Sequence, residues 1–248
     1  MKPTHCDHRF EVYTSDADAL QHLKAHALLC KMQDIANEHA SQLNFGYDQM
    51  IAKRTAWVLS RMKVRFLQEI SWRDQVTLRT WHKGVKGVFS IRDFKVFDEH
   101  QPDQPLILAT TSWLIINLDN RRMQRADHII GTDIIETAHQ EDAIAEVCDK
   151  IAVPQDLQPA GTRTVRYSDI DFNLHTNNAK YVEWSLDALD ANYLLEHPIE
   201  EFQINFNAES RLGDEVQLHR GAYNDREQYV EGTLDGKNIF QIRICFKA

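Results

Sequence analysis

The chain of 248 residues lacks the features that mark membrane-spanning, disulfide-rich and nucleic-acid-binding proteins. No run approaches the roughly 20 apolar residues of a membrane-spanning helix, and the start of the chain has no apolar signal segment. The four cysteines show no C-x-x-C spacing, which argues against a disulfide framework and a zinc knuckle. A net charge of −9 repels polyanions. We therefore expect a cytoplasmic globular protein that binds neither nucleic acid nor membranes.

What the sequence does contain is an internal repeat. The segment SDADALQH at 15–22 matches SDIDFNLH at 168–175 through its serine, two aspartates and histidine, at a constant offset of 153. Further on, 62–78 overlays 202–218 at an offset of 140. The first copy is therefore 13 residues longer between its helix and its next strand. The extra residues fall in FGYDQMIAKRTAW, at 45–57, which is predicted to be a loop.

Each copy shows the same order of patterns. A short strand precedes the acidic cluster, and apolar residues at helical spacing follow it, over 27–43 in the first copy and 181–193 in the second. Extended segments rich in β-branched and aromatic residues come next. One strand, one long helix and an antiparallel meander predict an α+β unit in which the sheet wraps around the helix. Two such units joined edge to edge would form one continuous sheet.

The predicted units are 1–136 and 161–248. Between them, residues 137–160 carry charge, two prolines and no strand pattern, so this segment is predicted to be a linker.

A family resemblance rests on the second copy of the cluster. The string DFNLHTNN at 171–178, with the duplicated strand, helix and sheet around it, resembles the acyl-ACP thioesterases, the plant and bacterial double-hotdog family. Downstream, NAESRLGDEV is similar to a family segment ending in Glu-Cys, with Glu209 on the glutamate and Ser210 on the cysteine. The resemblance extends over nearly the whole chain. It implies a double hotdog that hydrolyses acyl-ACP to a free fatty acid, with acyl carrier protein as partner and no cofactor, as a monomer or homodimer.

The resemblance also implies a set of catalytic residues: Asp171, Asn173, His175 and Glu209. Cleaving a thioester requires an activated nucleophile and donors aimed at the developing oxyanion. We favour water activated by a base, and both His175 and Glu209 remain open for that role. Asp171 is predicted to organise the turn, and the Asn173 amide to act as a donor.

The start of the following helix supplies further donors. The first N–H groups of a helix lack internal partners and carry the positive end of its dipole, so the backbone around Asn177 and Asn178 is expected to bind the oxyanion. Ser210 is an alternative, direct nucleophile, provided that His175 lies within hydrogen-bond reach. A cysteine intermediate is impossible at this position, because the residue is serine.

Simpler readings exist for the same residues. Asp171 and Asn173 could form only a turn and a helix cap. Glu69, the repeat partner of Glu209, indicates that a glutamate at this place can be structural. In the first copy Leu20 replaces the asparagine, so the N-terminal unit is predicted to hold the acyl chain beside a degenerate site.

Acyl-chain contacts are predicted on the first helix and the next strand, although core packing explains the same residues: Met32, Ile35, Ala36, Trp57 and Leu59. No metal site is predicted, because His22 and His26, one helical turn apart, lack a third ligand.

The carrier protein of the family is acidic, so a chain of net charge −9 needs a local basic surface to bind it. The candidates are Arg121, Arg122 and Arg125, or Lys83 and Lys86. The alternatives to acyl-ACP hydrolysis are an acyl-CoA thioesterase using the same site, a hydroxyacyl dehydratase and a non-catalytic acyl-binding protein.

Overall fold

The computed structural model describes residues 2–131, 138–139 and 141–247. The strands are β1 (Cys6–Glu11), β2 (Thr55–Phe66), β3 (Gln75–Lys86), β4 (Phe89–Phe97), β5 (Pro105–Asn117), β6 (Met123–Gln124), β7 (Gln158–Thr164), β8 (Ile199–Phe206), β9 (Glu215–Asn224), β10 (Glu227–Leu234) and β11 (Lys237–Phe246). The helices are α1 (Ala25–Gln42), α2 (Tyr47–Ala52), α3 (Ala126–Ile130), α4 (Asn178–Asp187) and α5 (Ala191–Glu196), with one 3₁₀ turn at Tyr167–Asp169.

The strands form one eleven-stranded sheet in the order β1-β3-β4-β5-β2-β8-β11-β10-β9-β7, with β6 paired to β5. The two halves join antiparallel at β2 and β8, from Arg61 opposite Asn205 to Arg65 opposite Glu201. This seam removes one open edge from each half. The predicted α+β fold of two helix-and-sheet units in a continuous sheet is confirmed.

The main core lies between the sheet and the two long helices, which contact each other. On α1, Leu28, Met32 and Ile35 recur at helical spacing and are buried. Phe202 and Ile204 of β8 alternate toward the same core. Within the described residues, no helix is long and apolar enough to cross a membrane.

Two elements differ from their predictions. The segment 45–57 contains α2, whose Met50 is buried against Phe45; a helix this short offers too few residues for periodicity to reveal it. The single helix predicted over 181–193 is broken after α4, because the Asp190 side chain accepts the N–H of Tyr193 at 3.0 Å and starts α5.

The predicted linker packs closely against the sheet. Its carbonyls accept hydrogen bonds from side chains of the sheet: Glu141 from Trp81 Nε1 (2.8 Å), Ile144 from Lys83 Nζ (2.7 Å), Cys148 from Arg61 Nη1 (2.8 Å), Asp149 from Gln203 Nε2 (2.7 Å) and Ile151 from Gln241 Nε2 (3.0 Å). Ile144 and Cys148 are buried. Residues 158–160 belong to β7, and residues 137 and 140 lie outside the described residues.

Candidate active site

The acidic cluster of the second copy folds into a tight turn. Oδ1 of Asp171 accepts hydrogen bonds from the N–H of Asn173 (2.8 Å) and of His175 (3.4 Å). Leu174 lies in the left-handed region, with φ of 63°, a conformation that costs a leucine about 1 kcal/mol. A bridge between Ile170 and Thr176 closes the turn. Asp171 thus holds the turn that carries His175, through the backbone.

The turn runs directly into α4. Asn177 caps this helix, since its Oδ1 accepts the N–H of Ala179 at 2.9 Å, and its own N–H is donated to the Asp169 carbonyl at 2.8 Å. For the N–H of Asn178, we find no acceptor in the described residues. Of the two predicted oxyanion donors, Asn178 is therefore the one that is free. The side chain of Asn173 is exposed.

Glu209 comes to the turn from beyond the end of β8. The sequence pattern predicts Glu209 on the strand face of Gln203, Asn205 and Asn207, from which it reaches His175 only if that face, or a bulge after Ala208, points toward the turn. In the structure β8 ends at Phe206. The N–H groups of Asn207 and Ala208 then both donate to the Ile239 carbonyl, at 2.8 and 3.1 Å. Two residues facing one make a bulge, and it breaks the alternation that would otherwise orient Glu209.

His175 and Glu209 are in direct contact. The imidazole Nε2 lies 3.1 Å from Oε2 of Glu209, and the side chains are 24% and 32% exposed. The N–H of Thr176 donates to the carbonyl of Ser210 at 2.9 Å, which ties the two segments together. The structure thus brings a histidine and a carboxylate together beside the start of α4.

Two arginines surround the same carboxylate. Arg121, from the turn after β5 of the N-terminal half, pairs with Oε1 of Glu209. Arg211 lies 3.7 Å from Oε2. Both oxygens of Glu209 are therefore engaged. The run containing Arg121 was predicted only as a carrier dock, and no local pattern links it to a residue 88 positions away.

Behind the His–Glu pair lies a buried hydroxyl network. Ser210 is 0% exposed, and its Oγ lies 2.7 Å from Oγ1 of Thr176 and 2.8 Å from Oη of Tyr181. The Ser210 N–H also donates to Tyr181 Oη at 3.2 Å. Burial raises the pKa of Tyr181. The hydrogen bonds of Ser210 thus go to Thr176 and Tyr181, and the contact with His175 that a serine nucleophile needs is not among them.

An apolar pocket of about 90 Å³ runs along α1. Its lining consists of Gln33, Ala36, Asn37, Ala40, Phe45, Trp57, Ser90, Arg92 and Trp113. Of the five predicted acyl contacts, Ala36 and Trp57 line it, whereas the other three belong to the main core: Met32, Ile35 and Leu59. Nε2 of Gln33 lies 3.4 Å from Oδ1 of Asn177, so the pocket begins beside the start of α4.

Several of the predicted basic residues are paired with carboxylates. Lys83 is only 15% exposed and pairs with Asp93 and Asp142, and Arg125 pairs with Asp127. Among these candidates, Arg121 is the one that reaches the His–Glu pair, with Arg122 next to it in the chain.

The histidines considered for a metal site pair with carboxylates. His22 lies 3.4 Å from Glu69 and His26 lies 3.7 Å from Glu183. Across the described ranges, no three or more His, Cys, Asp or Glu side chains are grouped to hold a metal ion.

Comparison with known families decides the relationship. The acyl-ACP thioesterase N-terminal domain matches residues 3–134, and the acyl-ACP thioesterase C-terminal domain matches residues 158–248. The chain belongs to the acyl-ACP thioesterase family. The resemblance inferred from its sequence is therefore confirmed.

Solved structures of acyl-ACP thioesterases share the double-hotdog fold. An acyl-ACP thioesterase from Bacteroides thetaiotaomicron superposes with a TM-score of 0.90 at 26% identity, over 98% of both chains. The 12:0-ACP thioesterase from Umbellularia californica gives 0.88 at 19% identity, over 100% of this chain and 98% of the other. The chloroplastic oleoyl-acyl carrier protein thioesterase of Coriandrum sativum is 23% identical over 75% of this chain. The chain spans about half the length of the curated relatives that it matches, 54% in the coriander case.

Proposed function

We propose that this thioesterase-family chain hydrolyses the fatty acyl thioester of acyl carrier protein and releases the free fatty acid. The observation that carries the proposal is the 3.1 Å contact between His175 and Glu209 beside the start of α4. Membership of the family in both halves supports the substrate class. The pocket that begins at Gln33, next to Asn177, supports an apolar acyl group.

In this mechanism His175 is the general base. The proposal places the proton of the neutral imidazole on Nε2, which lies 3.1 Å from Oε2 of Glu209, and the lone pair on Nδ1, which makes no hydrogen bond within the described residues. Glu209 is held on both oxygens by His175, Arg121 and Arg211, which suits it to orient the ring. A positioned base of this kind contributes about 10²–10⁴-fold.

The reaction balances without a cofactor. Nδ1 of His175 takes a proton from water, whose oxygen attacks the thioester carbonyl carbon. The N–H of Asn178 and the side-chain amide of Asn173 bind the oxyanion, assisted by the positive end of the α4 dipole. The carbon–sulfur bond then breaks, and the imidazolium returns its proton to the leaving thiolate. Ser210 supports the loop from behind and takes no part in bond making.

The carrier would dock on the rim of the site. Phe172 and Leu174 are exposed on the catalytic turn, and Phe172 contacts Tyr47 of α2 with ring centroids 5.3 Å apart. Arg121 and Arg122 add positive charge beside this apolar surface. An acidic protein that presents its acyl group on a flexible arm fits such a rim. Replacing Arg122 with Glu should lower the rate on acyl-ACP more than replacing Lys86 with Glu.

Matched substrates test the proposal. The purified chain is given octanoyl, dodecanoyl and hexadecanoyl thioesters of both acyl carrier protein and coenzyme A, and fatty acid release is measured with His175→Ala as the blank. We expect a higher kcat/KM on the carrier protein. Equal or faster cleavage of the coenzyme A series would make the chain an acyl-CoA thioesterase. Fatty acid binding without hydrolysis would make it an acyl-binding protein.

A further inference from the structure

Arg92 lies in the interior of the N-terminal half. It is on β4, on the strand face that also carries Phe94 and Val96 of the main core. The residue is 5% exposed and lines the apolar pocket together with Ser90. An arginine is almost never buried to this degree unless it is paired.

The pairing of Arg92 is incomplete. Its Nη1 donates to Nδ1 of His39 (3.0 Å) and to Oγ1 of Thr80 (3.2 Å). Within the described chain, neither Nε nor Nη2 has a protein acceptor, and no carboxylate forms an ion pair with the guanidinium. The adjacent Asp93 is on the other face of β4, where it pairs with Lys83 at 3.2 Å. The pocket therefore presents unused donors of a buried cation.

Such an arrangement carries an electrostatic penalty. Burial lowers the pKa of Arg92 to about 10, which shows that its charged form is disfavoured where it sits. A buried charge is normally compensated by an opposite charge with hydrogen bonds. Among the described residues, the guanidinium of Arg92 donates hydrogen bonds to neutral groups alone, namely an imidazole and a hydroxyl. A ligand that carries an anionic oxygen would supply the opposite charge that Arg92 lacks.

The distance from the catalytic turn to Arg92 can be followed along α1. The pocket begins near Gln33, which touches the cap of α4. His39, the hydrogen-bond partner of Arg92, lies six residues further along the same helix, about 9 Å at 1.5 Å per residue. An extended octanoyl chain that starts at the catalytic turn covers roughly this distance. Arg92 is thus placed at the end of the chain remote from the thioester.

We propose that Arg92, with Ser90 beside it, forms a subsite for a carboxylate at the remote end of the acyl chain, so that half-thioesters of dicarboxylic acids are preferred substrates. The inference rests on the proposed function. A carboxylate accepts paired N–H bonds from a guanidinium in one plane. The hydroxyl of Ser90, already 3.0 Å from Nε2 of His82, is positioned to add a third contact. A methyl end leaves all of these donors unsatisfied.

The test compares octanedioyl-ACP with octanoyl-ACP. We expect the wild-type chain to favour the octanedioyl substrate in kcat/KM by about tenfold or more, the effect of one charge-assisted hydrogen bond. Arg92→Met should bring this ratio to about one or below, because it removes the charge but keeps an unbranched side chain. Lys95→Met, on the same strand but the opposite face, should keep the wild-type ratio. A wild-type preference for octanoyl-ACP, or a ratio unaffected by Arg92→Met, would overturn the proposal.

A binding measurement separates this subsite from the hydrolytic function. Free octanedioic and octanoic acids are titrated calorimetrically into the wild-type chain and into Ser90→Ala and Arg92→Met. Tighter binding of octanedioic acid by the wild type, reduced in both variants, supports the subsite even if no acyl-ACP is hydrolysed. Equal binding of the two acids by the wild type refutes it, whatever the variants do and even if acyl-ACP is cleaved.

Discussion

The two copies build the same turn, although only one of them has the full set of proposed catalytic residues. In the N-terminal turn, Oδ1 of Asp18 accepts the N–H groups of Leu20 and His22, both at 2.9 Å, and Gln21 takes a left-handed φ of 65°. His22 then lies 3.4 Å from Glu69. Each feature repeats one described for the C-terminal turn. Both copies therefore place a histidine beside a carboxylate on this turn, and what distinguishes the C-terminal pair is the asparagine-rich string and the polar groups around it.

The copies differ directly behind the pair. The C-terminal copy has the hydroxyl network of Thr176, Tyr181 and Ser210. At the matching positions the N-terminal copy has three buried apolar residues: Leu23, Leu28 and Ile70. Polar support behind the loop accompanies the complete catalytic string, and apolar packing accompanies the copy in which leucine replaces asparagine.

The space beside the two long helices also differs, and here it is the N-terminal copy that has the open space. Beside α1 the N-terminal copy has the apolar pocket, whereas beside α4 aromatic rings pack together, with Tyr181 and Phe240 centroids 4.8 Å apart and Tyr181 and Trp184 centroids 5.4 Å apart. The pocket next to Glu69, about 290 Å³, is lined largely by carboxylates and amides. In the proposed mechanism, the C-terminal copy would supply the reactive groups and the N-terminal copy the space for an acyl chain.

The largest expected effect separates the two histidines. His175→Ala should lower kcat/KM on acyl-ACP by about 10²–10⁴-fold, because it removes the base. His22→Ala should change it by less than about twofold, although it breaks the matching pair. Steady-state fatty acid release measures both. A similar loss in the two variants would show that both copies catalyse, and no loss in either would remove the proposed base.

Acid should destabilise the polar interior of the N-terminal copy. Burial and, next, Arg92 lower the pKa of His39 to about 4 from its ordinary 6.5. The unfolded chain therefore binds this proton between those pH values while the folded chain does not, and the free energy of unfolding falls as the pH drops through that window. The loss at pH 5 is about 2 kcal/mol for this histidine. Urea unfolding at pH 7 and pH 5 measures it.

The matched variants for this effect are His39→Gln and His100→Gln, the second at an exposed position. The difference in unfolding free energy between the two pH values should shrink in His39→Gln and stay as in the wild type in His100→Gln. An unchanged difference in both would mean that His39 is not held neutral in the folded protein. The buried His82, whose pKa is lowered to about 3, has an effect of the same sign.

The hydroxyl network should matter for stability more than for rate. Ser210→Ala removes contacts with Thr176 and Tyr181, so the free energy of unfolding should fall by about 1–2 kcal/mol. The kcat should stay within about threefold of wild type, since the hydrogen bonds of the Ser210 hydroxyl go to Thr176 and Tyr181 and none to His175 is found within the described residues. Thermal unfolding and kcat on the same sample test this. A thousandfold drop in kcat with unchanged stability would instead identify Ser210 as the nucleophile.

The smallest effect concerns the two helix starts. Asn177→Ala should lower the free energy of unfolding by about 1 kcal/mol, because its side chain caps α4. The matching residue of α1, Lys24, makes no side-chain cap, so Lys24→Ala should cost less than about 0.5 kcal/mol. Chemical denaturation of both variants provides the comparison, and equal costs would argue against the cap.

Local patterns predicted much of this architecture. Apolar spacing located α1, the repeat offsets aligned the two turns, and the family resemblance singled out His175 and Glu209, which the structure brings into contact. These features depend on neighbours in sequence or on a motif repeated in register. Apolar spacing also predicted a second helix that continues past Asp190, because periodicity does not register a capping residue inside an apolar pattern.

Features that depend on distant contacts were not accessible to this reasoning. A bulge was one of two ways in which Glu209 could reach the turn, and no residue type in the segment decides between them; the structure has the bulge at Asn207 and Ala208. Arg121 reaches the site from the other copy across the seam of the sheet. Arg92 reads in the sequence as one more charge in an extended segment, and only the burial of its strand on both faces makes it unusual.

Two consecutive residues of the linker bridge the seam between β2 and β8. The carbonyl of Cys148 accepts a hydrogen bond from Arg61 of β2, and the carbonyl of Asp149 accepts one from Gln203 of β8. If the two units were separate, identical chains in a two-fold dimer, every substitution would appear twice. A substitution that opened a cavity in one unit would open the same cavity in the other, and aromatic side chains that filled the space in one unit would also fill it in the other. Covalent fusion removes that constraint. One unit can change its reactive groups while the other changes the space for an acyl chain, and the two units cannot dissociate at low protein concentration.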